Sequence, residues 1–183
     1  MPGKIGVVIL AAGAAERFGS PKQRILVGPV LERVRASHAA EEIVVVAGAY
    51  GLEANARVVH CPDWERGPGA TLRCGLEALS PEAEAAVVVL ADGPDLAPAA
   101  IDRVVSAWRE GRGDVLAATY RGERSHPVLL ARSVWGKIPD EGARPLETVL
   151  IPCDDLGAPG DVDYPADLPE RFREAFEEPP DAL

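Results

Sequence analysis

The sequence predicts an α/β fold in which helices cover both faces of a doubly wound, mostly parallel sheet. Three apolar runs, at residues 5–10, 43–46 and 86–90, are nearly unbroken, as in strands that are buried on both sides. Amphipathic segments with helical spacing lie between these runs. Because strands and helices alternate, we expect right-handed crossovers and a ligand site beyond the carboxyl ends of the strands.

The remaining elements are predicted from the same two patterns, short apolar runs for strands and helical spacing of apolar residues for helices. Helical stripes begin at Val30, Leu72 and Ile101, and a last stripe runs from Leu168 to Phe176. A proline stands before each of the last two stripes, which suits the first turn of a helix. Further strands are predicted at residues 56–60, 114–120 and 126–130, with a weaker candidate at 149–153.

Composition and charge limit the classes of function. The 183 residues, 47% apolar and 26% charged, suit a single globular domain, with a frayed tail at 177–183. The net charge is −10, and residues 154–183 carry most of it. General nucleic-acid or membrane binding needs a basic surface, so we expect neither. A few positively charged side chains could still lie together in one pocket.

The three cysteines, Cys61, Cys74 and Cys153, are odd in number and widely spaced. Neither a Cys-x-x-Cys pair nor a Cys/His cluster occurs, so the sequence predicts neither a disulfide framework nor a zinc site. We therefore expect reduced, buried thiols in a cytoplasmic protein. The apolar runs are far shorter than the ~20 residues that span a bilayer, and no signal-peptide pattern is seen.

The segment after the first predicted strand has features of a phosphate-binding loop. The small residues at 11–15, the small-residue loop, allow close approach of a ligand to the backbone, whose N–H groups can face phosphate oxygens. Arg17 can hold two oxygens at once, and Lys22 adds a compact positive charge. The spacing of Gly13, Gly19 and Lys22 excludes a P-loop. A tight turn with solvated charges is the alternative interpretation.

This segment also carries a family resemblance. The stretch Leu-Ala-Ala-Gly-x-x-x-Arg-Phe-Gly-x-Pro-Lys-Gln resembles the signature of the molybdopterin nucleotidyltransferases, whose fold is nucleotide-diphospho-sugar transferase-like. Its Ala-Ala-Gly and Pro-Lys-Gln are similar to the cytidylyl branch, whereas the guanylyl branch usually has Ala-Gly-Gly and Asp-Lys. The resemblance implies that Arg17 and Lys22 take up charge on the α-phosphate and the departing pyrophosphate. It implies the following backbone contacts to the nucleotide: Leu10, Ala11, Ala12 and Gly13.

A second matching segment, residues 62–73, resembles the part of the family that leads into a base-contacting helix. Gly69 and Ala70 would leave room beside a flat base, and free N–H groups at the helix start, up to Thr71, could bind it. A plain Gly-rich helix start is the alternative.

Two aspartates match metal-binding positions of the family. Asp92 follows the strand at 86–90, where the family has a magnesium-binding aspartate. Magnesium is typically held by one or two carboxylates together with substrate phosphates. Residues 161–168 resemble the family's Asp-Ile-Asp-Thr-Pro-Glu-Asp-Leu, which makes Asp163 the second metal carboxylate and Asp161 the fallback.

The sequence also departs from the family pattern. Gly93 stands where glutamine is usual, and we expect this change to affect acceptor contacts more than metal binding. Asp95 is expected to shape the turn and to cap the next helix. Segment 24–30 looks shortened against the usual lead into the second helix, which bears on the acceptor side of the pocket.

Two further residues match the acceptor side. Residues 125–129 resemble a Gly-His-Pro segment with serine in place of glycine, so that His126 would touch the acceptor. Residues 140–144 resemble Asp-x-Gly-Ala-Arg, and Arg144 would help to hold the acceptor. The alternatives are a structural role for His126 at the start of a strand and a surface turn around Arg144.

Taken as a whole, the resemblance implies transfer of CMP from CTP to the phosphate of molybdopterin, with release of pyrophosphate and with Mg²⁺ as cofactor. Such an in-line displacement depends on positioning and charge neutralisation rather than on a covalent intermediate. The alternatives are a guanylyltransferase on molybdopterin or another phosphorylated metabolite, and a non-catalytic nucleotide-binding module of the same fold. We expect a monomer or a small homo-oligomer.

Overall fold

A seven-stranded sheet forms the centre of the computed structural model, which describes residues 3–174. The strands are β1 (Lys4–Ala11), β2 (Glu42–Ala47), β3 (Arg57–His60), β4 (Ala83–Leu90), β5 (Val115–Tyr120), β6 (Glu123–Ala131) and β7 (Val149–Pro152). Their order across the sheet is β3-β2-β1-β4-β6-β5-β7. All seven predicted strands are therefore present.

The sheet is mostly parallel, as predicted, with one reversed strand. β1 pairs in parallel with β2 and β4, β2 with β3, and β5 with β7. β6 runs antiparallel to both of its neighbours, β4 and β5. The reversal arises because β5 turns directly into β6 through Arg121 and Gly122, whose φ angles are 53° and 79°. Two positive φ angles suit a tight hairpin, but an arginine at the first position gives no sequence signal for one.

Helices cover both faces of the sheet, which confirms the predicted architecture. Helices α1 (Gln23–Arg35) and α3 (Pro98–Arg109) pack on one face, and α2 (Pro68–Ala78) packs on the other. Alternate residues of β1 feed the two cores: Val7 faces α1 and α3, and Val8 faces α2. None of the helices within residues 3–174 is long and apolar enough to cross a membrane.

Helix α1 begins at Gln23, well before the first residue of its predicted stripe, Val30. The segment 24–30, which the sequence suggested to be a shortened lead, is part of this helix. The sequence does not reveal the start of α1, because Gly28 and Pro29 inside it are poor helix formers. Buried Leu26 and Val27 nevertheless continue the apolar stripe toward the N-terminus.

The predicted last helix begins later than expected, because only Arg173 and Glu174 of its described part are α-helical. Short 3₁₀ turns at Pro165–Asp167 and Glu170–Phe172 occupy the positions before these two residues. Pro169 lies between the turns and has no N–H to continue a helix from the first one. Leu168 is buried as predicted, whereas Phe176 and the tail at 177–183 lie outside the described residues.

The prediction of unpaired cysteines is also wrong for two of the three. Cys61 and Cys74 form a disulfide with a Cα–Cα distance of 5.9 Å, which joins the end of β3 to the middle of α2. Their separation of 13 residues resembles no common motif, and only the packing of α2 beside β3 brings them together. Cys153 is a buried free thiol, as predicted, and burial raises its pKa.

Candidate active site

Two adjacent cavities open at the carboxyl ends of β1 and β4, at the edge of the sheet where the topology predicted a ligand. The first, the loop cavity, has a volume of about 410 Å³ and lies between residues 10–13 and the start of α2. The second, the β6 cavity, has a volume of about 370 Å³ and is bordered by residues 124–126 of β6. Leu10, Pro68 and Leu90 line both cavities.

Most residues predicted to bind a nucleotide line the loop cavity: Leu10, Ala11, Ala12, Gly13, Lys22 and Thr71, together with Asp92. Arg17 lies in a further cavity of about 310 Å³, which it shares with Lys22 and Asp163. The small-residue loop, both predicted cations and both predicted metal carboxylates therefore occupy one connected region at the edge of the sheet.

Lys22 joins the two predicted metal carboxylates. Its side chain is buried, and its Nζ lies 3.2 Å from Asp92 Oδ2 and 3.7 Å from Asp163 Oδ1. The same ammonium group donates to the carbonyl oxygen of Val162. The two carboxylates thus lie no farther apart than these two distances combined, within the roughly 4–8 Å over which they could share one ion directly or through water. The predicted convergence of Asp92 and Asp163 is confirmed.

The return of Asp163 to this edge has a clear structural cause. The N–H of Val162 donates to the carbonyl oxygen of Asp92 at 2.9 Å, so the late segment pairs with the chain just beyond β4. The side chain of Val162 is fully buried in a small apolar cluster with Phe18 and Leu168. Backbone pairing and apolar burial together fix Asp163 beside Asp92.

The carboxylate oxygens of Asp92 and Asp163 are suitable ligands for a divalent cation. Asp92 Oδ1 is buried and accepts no hydrogen bond in the described structure, so an oxygen is left that a small cation could satisfy. The pKa of Asp161 is raised, first by desolvation and then by the nearby carboxylates of Asp92 and Asp163. Within residues 3–174, no three His, Cys, Asp or Glu side chains converge to complete a metal site by themselves. Substrate phosphates are the usual source of the remaining ligands of magnesium.

The start of α2 differs from the prediction. The N–H of Gly69 is not free for a base, because it donates to the carbonyl oxygen of Asp140 at 2.8 Å. A Cβ at Gly69 would lie 1.7 Å from the carbonyl oxygen of Pro139. This glycine therefore permits the close approach of residues 139–140, and neither it nor Ala70 lines the loop cavity. The small residues Gly69 and Ala70 are visible in the sequence, but the sequence does not reveal that residues 139–140 are the segment packed against them.

The structure also explains Gly93 and Asp95, the two residues near Asp92 for which the sequence analysis stated expectations. A Cβ at Gly93 would lie 2.9 Å from Cβ of Pro159 and 3.5 Å from Oδ1 of Asp161, so glycine leaves room for the segment that carries Asp161. Asp95 does not cap α3, which has no side-chain cap, and instead forms an ion pair with Arg171. The expected capping role of Asp95 is wrong, because its carboxylate turns toward the C-terminal segment.

Both predicted acceptor residues, His126 and Arg144, border the β6 cavity, whose floor is apolar. The pKa of His126 is lowered to about 4 by burial and by the charge of Arg124, so the imidazole is neutral at pH 7. The hydroxyl of Tyr120 donates to the backbone oxygen of His126 at 3.1 Å. Asp161 also lines this cavity.

Arg124 is a site residue that the sequence analysis did not identify. Its side chain lines the β6 cavity, and Nη1 donates to the backbone oxygen of Arg144 at 3.0 Å. Burial and the charge of Arg144 lower the pKa of Arg124. The available signal was its position two residues before His126, because residues i and i+2 of a strand share one face. Arg124 and Arg144 therefore bring two guanidinium groups to a cavity whose lining also contains the carboxyl groups of Glu141 and Asp161.

The sheet topology and the loop cavity define a nucleotide-diphospho-sugar transferase-like protein, the class that the sequence predicted. Residues 7–150 match the model of the MobA-like NTP transferase domain, and the chain belongs to this family. A comparison with curated proteins gave no match.

Solved structures with similar folds span nearly the whole chain. Rv0371c from Mycobacterium tuberculosis H37Rv is 25% identical, with a TM-score of 0.72 over 97% of this chain and 100% of that one. A manganese complex of Rv0371c has a TM-score of 0.67 at 24% identity, over 95% and 98% of the two chains. The molybdopterin-guanine dinucleotide biosynthesis protein A from Archaeoglobus fulgidus has a TM-score of 0.65 at 15% identity, over 94% and 100%.

Proposed function

We propose that this chain is a magnesium-dependent nucleotidyltransferase that transfers CMP from CTP to the phosphate of molybdopterin and releases pyrophosphate. The observation that carries the proposal is the bridge from Lys22 to Asp92 and Asp163, because it sets a cation and two carboxylates beside the small-residue loop. The manganese complex of Rv0371c supports the use of a divalent cation.

The reaction is an in-line displacement at the α-phosphorus of the nucleotide. An oxygen of the acceptor phosphate forms the new bond, and the bond to pyrophosphate breaks. Asp92 and Asp163 would hold Mg²⁺, which supplies charge neutralisation on the nucleotide phosphates when it is bound. Arg17 and Lys22 bind the α-phosphate and the departing pyrophosphate, where negative charge develops.

The β6 cavity is the proposed acceptor site. Its apolar floor suits a flat ring system, and Arg124 and Arg144 at its rim suit an anionic group. A neutral His126 can donate one hydrogen bond and accept another without adding charge. Because the two cavities share Leu10, Pro68 and Leu90, an acceptor phosphate can reach the α-phosphate of a nucleotide in the loop cavity.

The choice of base rests on the small-residue loop, in which Ala11, Ala12 and Gly13 are similar to the cytidylyl pattern. The Archaeoglobus fulgidus neighbour, which is named for a guanine dinucleotide, favours a guanylyltransferase as the second candidate. A non-catalytic module would have no need for Arg17, Lys22, Asp92 and Asp163 together.

The test is pyrophosphate release measured with each of the four NTPs, with and without molybdopterin and with and without Mg²⁺. We expect release only with molybdopterin and Mg²⁺ present, fastest with CTP and strongly reduced in Asp92→Asn. Faster release from GTP would favour the guanylyl candidate. No release from any NTP, with nucleotide binding retained, would favour the non-catalytic module.

A further inference from the structure

Three consecutive carbonyl groups of the small-residue loop are held from outside the loop. The oxygen of Ala12 accepts from the N–H of Ala49 at 3.0 Å. The oxygen of Gly13 accepts from Nε2 of Gln23 at 3.0 Å, and the oxygen of Ala14 accepts from the hydroxyl of Tyr50 at 2.8 Å. The donors come from two different elements, α1 and the segment after β2.

This arrangement leaves the opposite polar groups of the loop available. Within residues 3–174, the N–H groups of Gly13 and Ala14 donate no hydrogen bond. Phosphate oxygens and the acceptor atoms of a base are attracted to N–H groups and repelled by carbonyl oxygens. A loop whose carbonyls are already bonded to protein donors therefore presents its N–H groups to a ligand with little reorganisation.

The segment after β2 is shaped to reach the loop. A Cβ at Gly48 would lie 2.6 Å from the carbonyl oxygen of Ala12, so only glycine permits this approach. The next two residues, Ala49 and Tyr50, supply two of the three donors. Nothing in the chemistry of the transfer itself requires a tyrosine at this position.

Gln23 supplies the third donor from the first turn of α1. The residue is only 7% exposed, and the carbonyl it faces can only accept, which fixes Nε2 toward Gly13. Its Oε1 is then buried and has no partner in the described structure. An unpartnered buried oxygen costs stability, so this glutamine is not explained by the stability of the fold.

We propose that Tyr50 and Gln23 are positioning residues that hold the small-residue loop with its N–H groups turned toward the nucleotide. The inference rests on the proposed function, and it assigns to these residues an effect on nucleotide affinity that they exert through the loop. Each variant that removes one hydrogen bond is expected to weaken nucleotide binding about fivefold, the typical effect of one neutral hydrogen bond.

The test measures the dissociation constant of CTP with Mg²⁺, the thermal midpoint, and the two KM values for Tyr50→Phe and Gln23→Met. Both variants remove the donor and keep most of the side-chain volume. We expect a higher Kd and KM for CTP and an unchanged KM for the acceptor. The thermal midpoint of Tyr50→Phe should be unchanged, because Ala14 is only half-buried and water can replace the lost hydroxyl. Gln23→Met also removes the unpartnered oxygen, so its midpoint should be unchanged or higher while its affinity falls. A purely structural role would instead lower both together.

Tyr120→Phe is the matched control, because its hydroxyl also donates to a backbone oxygen, but beside the β6 cavity. Its Kd for CTP should equal that of the wild type. If the wild type binds CTP and both variants bind it equally well, the inference is wrong and the proposed function stands. If the wild type binds no NTP, the proposed function fails and the inference fails with it.

Discussion

At the scale of single residues, the ammonium group of Lys22 is the centre of the site. It contacts two carboxylates and a carbonyl oxygen while its own side chain is only 8% exposed. A buried charge is tolerated when its partners compensate for lost hydration. Lys22 therefore has two roles, one in holding Asp92 and Asp163 together and one, in the proposed function, in binding phosphate.

We expect Lys22→Ala to remain folded but to lower the rate of nucleotidyl transfer by at least about 100-fold, since loss of one preorganised charge contact costs about 3 kcal/mol. Its thermal midpoint should fall in EDTA, because Asp92 and Asp163 then face each other without a cation. Added Mg²⁺ should raise the midpoint more in the variant than in the wild type.

Lys137→Ala is the control for this change, because Lys137 is exposed and lines none of the three cavities of the site. It should leave the rate and the response to Mg²⁺ unchanged. Near-normal turnover in Lys22→Ala, together with a normal melting curve, would contradict both roles of Lys22.

His126 makes stability depend on pH. Its pKa in the folded protein is about 4, against an ordinary value of 6.5. Between these values the unfolded chain binds the additional proton, so stability falls as the pH is lowered from about 6.5 to 4. We expect His126→Gln to show a weaker loss of free energy of unfolding over this range, measured by urea denaturation at several pH values. Equal slopes for the variant and the wild type would show that the ring titrates normally.

At the scale of elements, the start of α2 tests why a glycine is placed there. Gly69→Ala would set a Cβ against the carbonyl oxygen of Pro139, and we expect a loss of about 1–3 kcal/mol in the free energy of unfolding. Gly28→Ala in α1 is the matched control, because no atom lies within 4 Å of its added Cβ. That change should stabilise the protein by up to about 1 kcal/mol.

Chemical denaturation of the two alanine variants measures this difference directly. If Gly69→Ala were as stable as the wild type but bound CTP poorly, the glycine would serve the base after all. The prediction that Gly69 and Ala70 make room for a base would then be restored.

The Cys61–Cys74 disulfide ties β3, an edge strand, to α2. Closing a loop of this length stabilises a protein by about 3 kcal/mol in the chain-entropy description. Cys74→Ser should therefore lower the thermal midpoint, and dithiothreitol should lower that of the wild type but not of the variant. The buried thiol of Cys153 serves as an internal reference, since both proteins keep it.

At the scale of the whole molecule, the sequence was sufficient where one local pattern decides one element. The apolar runs at 5–10, 43–46 and 86–90 form β1, β2 and β4. The family motif at 161–168 correctly predicted that Asp163 lies near Asp92. Features that depend on contacts between distant segments, and that no family motif encodes, were missed. The disulfide requires α2 beside β3, and Gly69 is explained only by residues 139–140. Hydrogen bonds from Gln23 and Tyr50 to the small-residue loop likewise have no local signal.

The two cavities beside β1 and β6 are lined by largely different segments of the chain. Residues on the β1 side form the loop cavity, and residues 124–144 form most of the lining of the β6 cavity. Of the residues that the structure describes, only Leu10, Pro68 and Leu90 line both. In the proposed function, mutations within residues 124–144 would therefore alter the choice of acceptor without changing the residues that bind the nucleotide. If the proposed function holds, evolution could change the acceptor through substitutions in residues 124–144 alone, while the protein continued to use the same nucleotide.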